Sequence, residues 1–413
     1  MQTKLGVLPD DWKLRHLRDF ATVVTGSTPS TSDAANYGDE FMFVSPVDMG
    51  DTKLIMRTEK RLSRKGFAAS RRFPTNSILF VCIGSTIGKC GMASTELTSN
   101  QQINAIFPSE TFCADFLYYS LSAAAPNIRA LAGEQAVPLV NKSQFSETLI
   151  ALPTLPEQRA IASALSDVDA LLAGLDRLIA KKRDLKQAAM QQLLTGKIRL
   201  GGFKGEWEVK TLGDLFAFSG GYSASRDQLS TKGHCYLHYG DIHRATKTCV
   251  DTRADFQDIP KIDIPLKRIL PGSLLQDGDV VFVDASEDDE GTSRHVIVAN
   301  KGGLPFIAGL HTIVAKDKTN ELAHEYRRYC FQTDAIRAQF LFYSVGTKVS
   351  GISKSNIPKL MIPIPSLPEQ LAIASVLSDM DAEISALEAR RNKTRALKQG
   401  MMQELLTGRI RLV

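Results

Sequence analysis

The chain has 413 residues, of which 43% are hydrophobic and 23% charged, a composition that is typical of globular proteins and excludes a disordered polymer. Its formal charge of +5 permits contact with phosphates but excludes the charge density of a histone-like protein. No stretch approaches the roughly 18 apolar residues of a membrane span, and the first residues lack the apolar core of a signal peptide, so we expect a cytoplasmic protein of several domains. The six cysteines form no C-x-x-C pair, which favours reduced thiols over disulfides or a cysteine-rich zinc site.

The chain opens with short strand-like runs that are followed by one helix. The runs lie at 41–46, 77–84 and 103–108, and turn residues interrupt them at short intervals. An aromatic-rich segment at 113–123 predicts a helix. We therefore predict an α+β globular domain over residues 1–154.

The loop IGSTIGKC at 83–90 follows one of these predicted strands. It is similar to a phosphate-binding loop, but its two glycines are one residue too close for G-x-x-x-x-G-K, and a cysteine stands where serine or threonine is required. A hairpin turn permitted by glycine is the favoured interpretation. The alternative is a loop that contacts DNA phosphate through its amides and through Ser85, Thr86 and Lys89.

Residues 155–200 predict a long helix that has Pro156 in its first turn and no proline after it. Apolar residues recur at alternating spacings of four and three from Ile161 to Ile179, which is the pattern of a coiled-coil seam. Two lysines then interrupt the pattern before an apolar face resumes, so we expect the packing partner to change there. Gly196 follows Leu-Leu-Thr and predicts a left-handed end to the helix.

Residues 201–366 predict a second α+β domain of similar size. Its strand-like runs lie at 235–240, 280–286, 295–300 and 311–316. One helix is predicted at about 320–340, again before the start of a long helical segment.

Two segments of this second domain bear on catalysis. The acidic run VDASEDDEG at 283–291 has the residues of a Mg²⁺-dependent nuclease, although a solvated loop is the commoner meaning. His234, Cys235, His238 and His243 are zinc-ligating types, but strand alternation would point neighbours to opposite faces. No D/N/S-P-P-Y/F tetrad and no glycine-rich dinucleotide fingerprint occurs, so we expect neither catalytic residues nor a metal site.

The segment that starts at Leu367 repeats the one that starts at Leu155, with an offset of 212 residues (367 − 155). About 28 of 46 positions are identical without a gap, which indicates an internal duplication. Residues 367–413 therefore predict a second long helix that ends at Gly408 and packs beside the first. The predicted fold is α+β, with two globular domains alternating with two long helices.

The remaining candidates are polar and basic residues of types that read base edges or contact phosphates. Each of them, taken singly, is more often an ordinary surface residue. They are Gln101, Gln102 and Asn104 in the first domain, and His243, Arg244, His311 and Lys348 in the second.

The repeated helices and the divergent domains between them resemble one family across nearly the whole chain. Two helices that begin LPEQ and end LLTG-K/R-I-R, each preceded by a variable domain, are typical of the specificity subunits of type I restriction-modification systems. GSTPS (26–30) with FVSPVDMGD (43–51), and SGGYSAS (219–225) with HYGDI (238–242), are similar to the openings of that family's target recognition domains.

The resemblance implies a non-catalytic DNA reader. Target recognition domains at 1–154 and 201–366 would each read half of a split, asymmetric site in double-stranded DNA. Helical spacers at 155–200 and 367–413, paired as an antiparallel coiled coil, would set the gap between the halves.

The resemblance also implies partners, and it places the cofactors in them rather than in this chain. Two methyltransferase subunits would carry S-adenosylmethionine and methylate adenine at N6, and two motor-nuclease subunits that use ATP and Mg²⁺ would complete a restriction complex. The methyltransferases would dock on exposed helix faces, which are expected around Met190, Leu194, Met401, Met402 and Leu406.

Three alternatives stay open at this point. The chain could serve a related type II system, it could be a Mg²⁺-dependent nuclease built on the acidic run, or it could be a coiled-coil scaffold without a DNA function. The acidic run occurs in only one half of the duplication, which disfavours the nuclease. The divergence of the two globular halves disfavours the scaffold.

Overall fold

The computed structural model divides the chain into two compact units, each of which combines a globular domain with part of both long helices. The first unit comprises Met1–Asp176 with Ala389–Val413, and the second comprises Arg177–Glu388. The division therefore falls within the long helices and not at their ends. The structure describes residues 2–3, 6–50, 52–133, 136–244, 248–286, 293–345 and 350–412.

The first unit is built from short strands and the helices that cover them. Its strands are β1 (Gln2–Thr3), β2 (Gly6–Val7), β3 (Lys13–His16), β4 (Val23–Thr25), β5 (Tyr37–Val44), β6 (Leu54–Ile55), β7 (Lys60–Leu62), β8 (Arg72–Phe73), β9 (Ile78–Val81), β10 (Cys90–Ala93), β11 (Leu97–Ser99), β12 (Ile103–Ile106) and β13 (Leu149–Leu152). Its helices are α1 (Arg64–Ala69), α2 (Ala114–Ala130), α3 (Lys142–Ser146) and the start of α4 (Leu155–Leu193). A five-stranded sheet has the order β4-β12-β9-β10-β6, and a four-stranded sheet has the order β7-β5-β11-β8.

The apolar runs of the sequence form the centre of this unit. Every residue of β9 and β12 is buried, as expected for strands covered on both faces. Phe116, Leu117, Tyr119 and Leu121 of α2 pack into the same unit's core. The predicted strands at 41–46, 77–84 and 103–108 and the predicted helix at 113–123 are confirmed, although the helix extends to Ala130.

The second unit repeats this plan with its own residues. Its strands are β14 (Glu208–Thr211), β15 (Phe216–Gly220), β16 (His234–Leu237), β17 (Cys249–Asp251), β18 (Lys261–Ile262), β19 (Val280–Val283), β20 (Ala285–Ser286), β21 (His295–Ala299), β22 (Phe306–Ala308), β23 (Thr312–Asp317), β24 (Ser344–Val345), β25 (Ser350–Ile352) and β26 (Met361–Ile364). Its helices are the end of α4, α5 (Leu212–Leu215), α6 (Tyr239–Arg244), α7 (His324–Cys330), α8 (Asp334–Tyr343) and the start of α9 (Leu367–Leu405). The five-stranded sheet β15-β23-β19-β21-β17 has the same connectivity as that of the first unit.

The single helix predicted at about 320–340 is in fact two helices. α7 ends at Cys330, and the hydroxyl of Thr333 then accepts a hydrogen bond from the backbone N–H of Ile336. Threonine is a favoured N-cap because its side chain satisfies an unpaired N–H at a helix start. The apolar periodicity continues through this cap, which is why the sequence pattern did not reveal the break.

The two long helices are as predicted in length and in how they end. α4 and α9 have 39 residues each, or about 58 Å at 1.5 Å per residue. Gly196 and Gly408 follow them with φ of 71° and 70°, the left-handed conformation that glycine adopts at helix ends. No helix in the described ranges is both long and apolar enough to cross a membrane.

Ion pairs join the two helices in the first unit, and their order gives the direction of packing. Asp169 of α4 pairs with Lys398 of α9 at 2.6 Å, and Asp176 pairs with Arg391 at 3.4 Å. As the residue number increases along α4, the residue number of the ion-pair partner on α9 decreases. The helices are therefore antiparallel.

The same arrangement recurs in the second unit. Lys186 pairs with Asp381 and Lys182 pairs with Glu383, both at 2.6 Å. These two lysines are the ones that interrupt the apolar pattern of α4, so carboxylates of the other helix replace apolar contacts there. The Lys186–Asp381 pair is the repeat, at an offset of 212 residues, of Lys398–Asp169.

The predicted coiled-coil seam is only partly a contact between helices. Ile161 and Leu165 are fully buried in the core of the first unit with residues of its globular domain. Ile373 and Leu377 have the same position in the core of the second unit. The first three turns of each long helix thus anchor a domain, because an apolar face packs equally well against a sheet-and-helix core as against another helix.

Candidate nucleic-acid interface

The loop predicted to contact phosphate is the turn of a β-hairpin between β9 and β10. The backbone N–H of Val81 donates to the carbonyl oxygen of Lys89 at 2.9 Å. Gly84 and Gly88 have φ of 95° and 102°, which few other residues tolerate. Because a strand and not a helix follows the loop, the phosphate-binding-loop interpretation is wrong and the hairpin interpretation is confirmed.

The side chains of this turn are accessible to a ligand. Ser85 and Lys89 are exposed and Thr86 is half-buried. Lys89 Nζ donates to the carbonyl oxygen of Pro46 at 3.3 Å, which holds the ammonium group beside the neighbouring loop. A role for these three residues at DNA phosphate stays a prediction.

Gln101 and Gln102 lie beside this turn, between β11 and β12. Gln101 is exposed, and its Oε1 accepts from the hydroxyl of Thr28 at 2.6 Å. Gln102 Oε1 accepts from Asn100 Nδ2 at 2.9 Å. A Cβ atom added to Gly84 would lie 3.7 Å from Gln102 Nε2, so the turn and this glutamine form one surface.

Asn104 is separated from that surface although it is only two residues away in sequence. Its side chain is 3% exposed. Oδ1 accepts from the hydroxyl of Thr25 at 2.7 Å, and Nδ2 contacts Cys82 Sγ at 3.2 Å. The amide satisfies polar groups between strands, as buried amides must. The structure therefore does not support the predicted DNA contact by Asn104.

In the second unit, His311 is the centre of a polar and aromatic cluster. His311 is exposed and has a φ of 58°, a left-handed conformation that is uncommon for residues other than glycine. Its Nδ1 lies 3.2 Å from Asp284 Oδ1. The ring of Tyr239 meets the imidazole edge-on, with 5.4 Å between the ring centroids.

His243 belongs to the same cluster. Its ring is perpendicular to that of Tyr239 at 6.1 Å, and its Nε2 lies 3.4 Å from the carbonyl oxygen of Ala285. The Arg294 guanidinium donates to the carbonyl oxygen of His243 and so links α6 to the strand that starts at His295. His243 and His311, which are far apart in sequence, are thus brought together.

Gln102 and His311 occupy the same position of one framework. They immediately precede β12 and β23, which hold the same place in the two five-stranded sheets. The backbone N–H of Cys82 donates to the carbonyl oxygen of Gln102 at 2.8 Å, and that of Asp284 donates to His311 at 3.2 Å. The two domains therefore present different side chains from equivalent backbone positions.

The loops after β5 and β16 also correspond. The backbone N–H of Asp48 donates to the carbonyl oxygen of Ser45 at 3.1 Å, and that of Asp241 donates to His238 at 2.9 Å. Proline follows Ser45, whereas Tyr239 follows His238. Tyr239 was not identified from the sequence as a candidate site residue. Aligning segment 43–51 with segment 238–242 would have identified it.

The two remaining candidates of the second domain are Arg244 and Lys348. Arg244 ends α6, and its side chain lies outside the described residues, as does Lys348. Of the acidic run at 283–291, residues 287–291 also lie outside them. Within the described ranges, no group of histidine, cysteine and carboxylate side chains is arranged to hold a metal ion.

A buried glutamate anchors the first domain to its long helix. The Glu157 side chain is 0% exposed, and the guanidinium of Arg411 donates to its two oxygens at 2.5 and 2.8 Å. Trp12 Nε1 donates to the same carboxylate at 3.2 Å. Arg411 also donates to both oxygens of Asp11, which lowers the pKa of that carboxyl group.

The second domain has the same anchor. The Glu369 side chain is 1% exposed and accepts two hydrogen bonds from Arg199. Trp207 Nε1 donates to it at 3.1 Å. In the sequence these glutamates stand out only as the acidic residues of the two LPEQ motifs. The repetition of tryptophan, glutamate and arginine in both halves was the signal for the anchors.

The residues predicted to dock a partner largely belong to the cores of this chain. Met190 and Leu194 are buried in the second unit, and Met401, Met402 and Leu406 are partly buried against the core of the first. The apolar face that resumes after the lysines therefore packs on the chain's own globular domains. A docking role for Met190 and Leu194 is not supported.

Other apolar residues of α4 are exposed. Leu171, Leu178 and Leu185 follow one another at seven-residue spacing, with 43%, 39% and 47% of their surface accessible. Residues seven apart lie on one face of a helix. α4 therefore presents a leucine stripe, defined by these three residues, that the described part of the chain leaves uncovered.

Two copies of one β framework, each with its own exposed polar side chains and each anchored to a long helix, define a protein with two recognition domains. Residues 9–181 and 204–395 match the family described as type I restriction modification DNA specificity domain. The chain belongs to this family. Its function as the DNA-specificity subunit of a type I restriction-modification system is confirmed.

Individual relatives cover the chain from end to end. The MjaIX specificity subunit of Methanocaldococcus jannaschii is 22% identical over 433 residues, which cover 100% of this chain and 96% of the relative. The S subunit from M. genitalium matches with a TM-score of 0.57 and 15% identity over 98% of both chains. A second solved structure, from work on complex assembly and conformational transition of the type I R-M system, matches with a TM-score of 0.61 and 16% identity. The match covers 98% of this chain and 100% of that chain. The likeness confirms the fold.

Proposed function

We propose that the chain reads a bipartite, gapped and asymmetric site in double-stranded DNA, one half with each recognition domain. The observation that carries the proposal is the equivalence of Gln102 and His311 on a shared framework. A shared framework gives both domains the same approach to the groove, and different side chains give the half-sites different sequences. Each domain is fixed to a long helix, so the spacing of the half-sites becomes a requirement for binding.

The chain itself is proposed to be non-catalytic and to act in the cytoplasm. The chemistry belongs to its partners, two methyltransferase subunits that bind S-adenosylmethionine and methylate adenine N6. Two restriction subunits that use ATP and Mg²⁺ join them in a complete complex. The internal duplication supports a pair of methyltransferases, because two copies of one helix offer two related docking positions.

The leucine stripe on α4 is the proposed docking surface for a methyltransferase helix. A heptad-spaced row of leucines is what a second helix needs for knobs-into-holes packing. Leucines with about two-fifths of their surface accessible also lose contact with water when such a helix binds.

Replacing one leucine of the stripe tests this docking. Leu178→Glu is expected to reduce co-purification of the methyltransferase at least tenfold, because a carboxylate at the centre of an apolar contact must be desolvated without a partner. Leu270→Glu is the matched control, since Leu270 is 74% exposed and lies off the helices. Equal retention of the methyltransferase by both variants would assign the docking to another surface.

The proposed function is tested by co-expressing the chain with its methyltransferase and mapping N6-methyladenine in host DNA by single-molecule sequencing. A gapped, asymmetric motif that disappears without the chain is the expected result. Inserting seven residues after Asp176 and seven after Glu388 should lengthen the gap, by at most about three base pairs at 1.5 Å per residue, and leave both half-sites unchanged. Methylation that is independent of the chain, or Mg²⁺-dependent cleavage by the chain alone, would overturn the proposal.

A further inference from the structure

We infer that the two equivalent positions present opposite hydrogen-bonding groups to DNA, a donor at Gln102 and an acceptor at His311. The inference rests on the proposed function, since it assumes that this face of each domain meets the base edges. It adds the chemical class of base that each position selects.

Asp284 fixes the tautomer of His311. A carboxylate oxygen only accepts hydrogen bonds, so the imidazole nitrogen 3.2 Å away, Nδ1, must carry the proton. In the neutral ring, Nε2 is then an acceptor. Nothing in the described ranges of the chain hydrogen-bonds to Nε2, and the side chain is 46% exposed. In its neutral form, His311 therefore offers a lone pair to an external donor.

The ring of His311 is also held in place. Its backbone has a left-handed φ of 58°, and its carbonyl oxygen accepts from the N–H of Asp284 at 3.2 Å. The rings of Tyr239 and His311 pack in a T-shaped arrangement, with 5.4 Å between their centroids. Backbone and side chain are thus tied to the same residue, Asp284, and a recognition group fixed in this way loses little entropy on binding.

Asn100 fixes the amide of Gln102 in the opposite sense. Asn100 Oδ1 accepts from the backbone N–H of Gln102 at 3.1 Å, so the Nδ2 group of Asn100 must be the one that faces the Gln102 side chain. Nδ2 donates to Gln102 Oε1 at 2.9 Å. This network assigns the amide orientation. The Nε2 group of Gln102 has two hydrogens and meets no acceptor among the described residues.

The two groups select different bases in the major groove. An acceptor such as His311 Nε2 matches the exocyclic amino groups of adenine N6 and cytosine N4. A donor such as Gln102 Nε2 matches the acceptors of guanine (O6 and N7), thymine (O4) and adenine (N7), and therefore disfavours cytosine, which offers only its N4 donor. On the strand that each side chain contacts, one position of the second half-site should be A or C, and one position of the first half-site should be G, T or A but not C.

Gln102→Glu reverses the group without changing its shape. The carboxylate still accepts from Asn100, but it replaces the NH₂ donor with an acceptor. In the methylation map, one position of the first half-site should lose G and T and gain C, with each of these preferences changed by about tenfold, whereas A matches either group. The second half-site should not change. Gln257→Glu, at an exposed glutamine in the loop after β17, is the matched control.

Asp284→Ala and His311→Asn test the second position. Without Asp284 both tautomers of His311 become available, so one position of the second half-site should accept all four bases instead of A or C. His311→Asn keeps a residue type that tolerates the left-handed conformation and removes the imidazole, and discrimination at that position should fall about tenfold. Thermal unfolding of each variant verifies that its fold is intact.

The outcomes separate this inference from the proposed function. If no motif depends on the chain, the proposed function fails. If a motif depends on the chain but Gln102→Glu and Asp284→Ala leave it unchanged, or if the affected positions have the opposite base class, the proposed function stands and this inference is wrong. A switch confined to one position of one half-site supports it.

Discussion

Arg411→Ala is expected to destabilise the first unit by about 3 kcal/mol, the low end of what breaking a buried ion pair costs. Among the described residues, the substitution leaves the fully buried carboxylate of Glu157 with only the indole N–H of Trp12 as a side-chain partner. The low end applies because the Arg411 side chain is one-third exposed and water reaches part of the vacated space. Asp11 also loses its bidentate partner, but it is exposed and adds little.

Urea unfolding followed by tryptophan fluorescence measures this effect. The chain has two tryptophans, and each donates to the anchor glutamate of its own unit, so Trp12 reports on the first unit and Trp207 on the second. Arg409→Ala is the control, because Arg409 lies in the same terminal segment but is 60% exposed and pairs with half-buried Glu404 instead of a fully buried carboxylate. A loss of stability no larger than that of the control would show that the anchor contributes nothing measurable.

The counterpart is Arg199→Ala in the second unit. Arg199 and Glu369 repeat the same contact at the offset of 212 residues, and the loss should be similar and confined to the Trp207 signal. The two arginines differ in chain context, since Arg199 precedes Trp207 by eight residues (207 − 199) while Arg411 and Trp12 lie at opposite ends of the sequence. In the second domain the short connection between Arg199 and Trp207 helps to keep the anchor together. In the first domain the hydrogen bonds to Glu157 hold Arg411 and Trp12 together.

The framework was predictable from the sequence because its determinants are local. Strands such as β9 and β12 are continuous apolar runs, and the long helices have both an apolar period and a glycine at the end. Duplication added a second, independent copy of the helix signal. Where the local signal was ambiguous, as at the Thr333 cap between α7 and α8, the prediction merged two elements.

The candidate site was less predictable because its determinants are pairings between distant residues. Asn104 and Gln102 have similar side chains in one segment, and only the position of β12 between β4 and β9 decides that the first is buried. The tautomer of His311 depends on Asp284, which lies 27 residues away. Met190 and Leu194 show the same limit, since an apolar helix face does not reveal whether a partner or the chain's own domain covers it.

Gly221→Ala is expected to cost about 3 kcal/mol in the second unit and to abolish recognition of the second half-site. A Cβ atom there would lie 1.8 Å from the carbonyl oxygen of Gly309, a backbone atom that no rotamer change can remove. The strand end must then separate from the segment that leads to His311, two residues further on, and the imidazole is displaced with it. The first half-site should still be read.

Its neighbour provides the control. Gly220 is the last residue of β15 and directly precedes Gly221. A Cβ added there would meet nothing within 4 Å, so Gly220→Ala should change stability by less than about 0.5 kcal/mol. Gly26, in GSTPS, is the corresponding glycine of the first domain, where a Cβ would lie 2.1 Å from the carbonyl oxygen of Asn100. Gly26→Ala should therefore remove the first half-site from the methylation motif and spare the second. If both halves of the motif survive either substitution, the close approach of backbone at these glycines does not position the residues that read DNA.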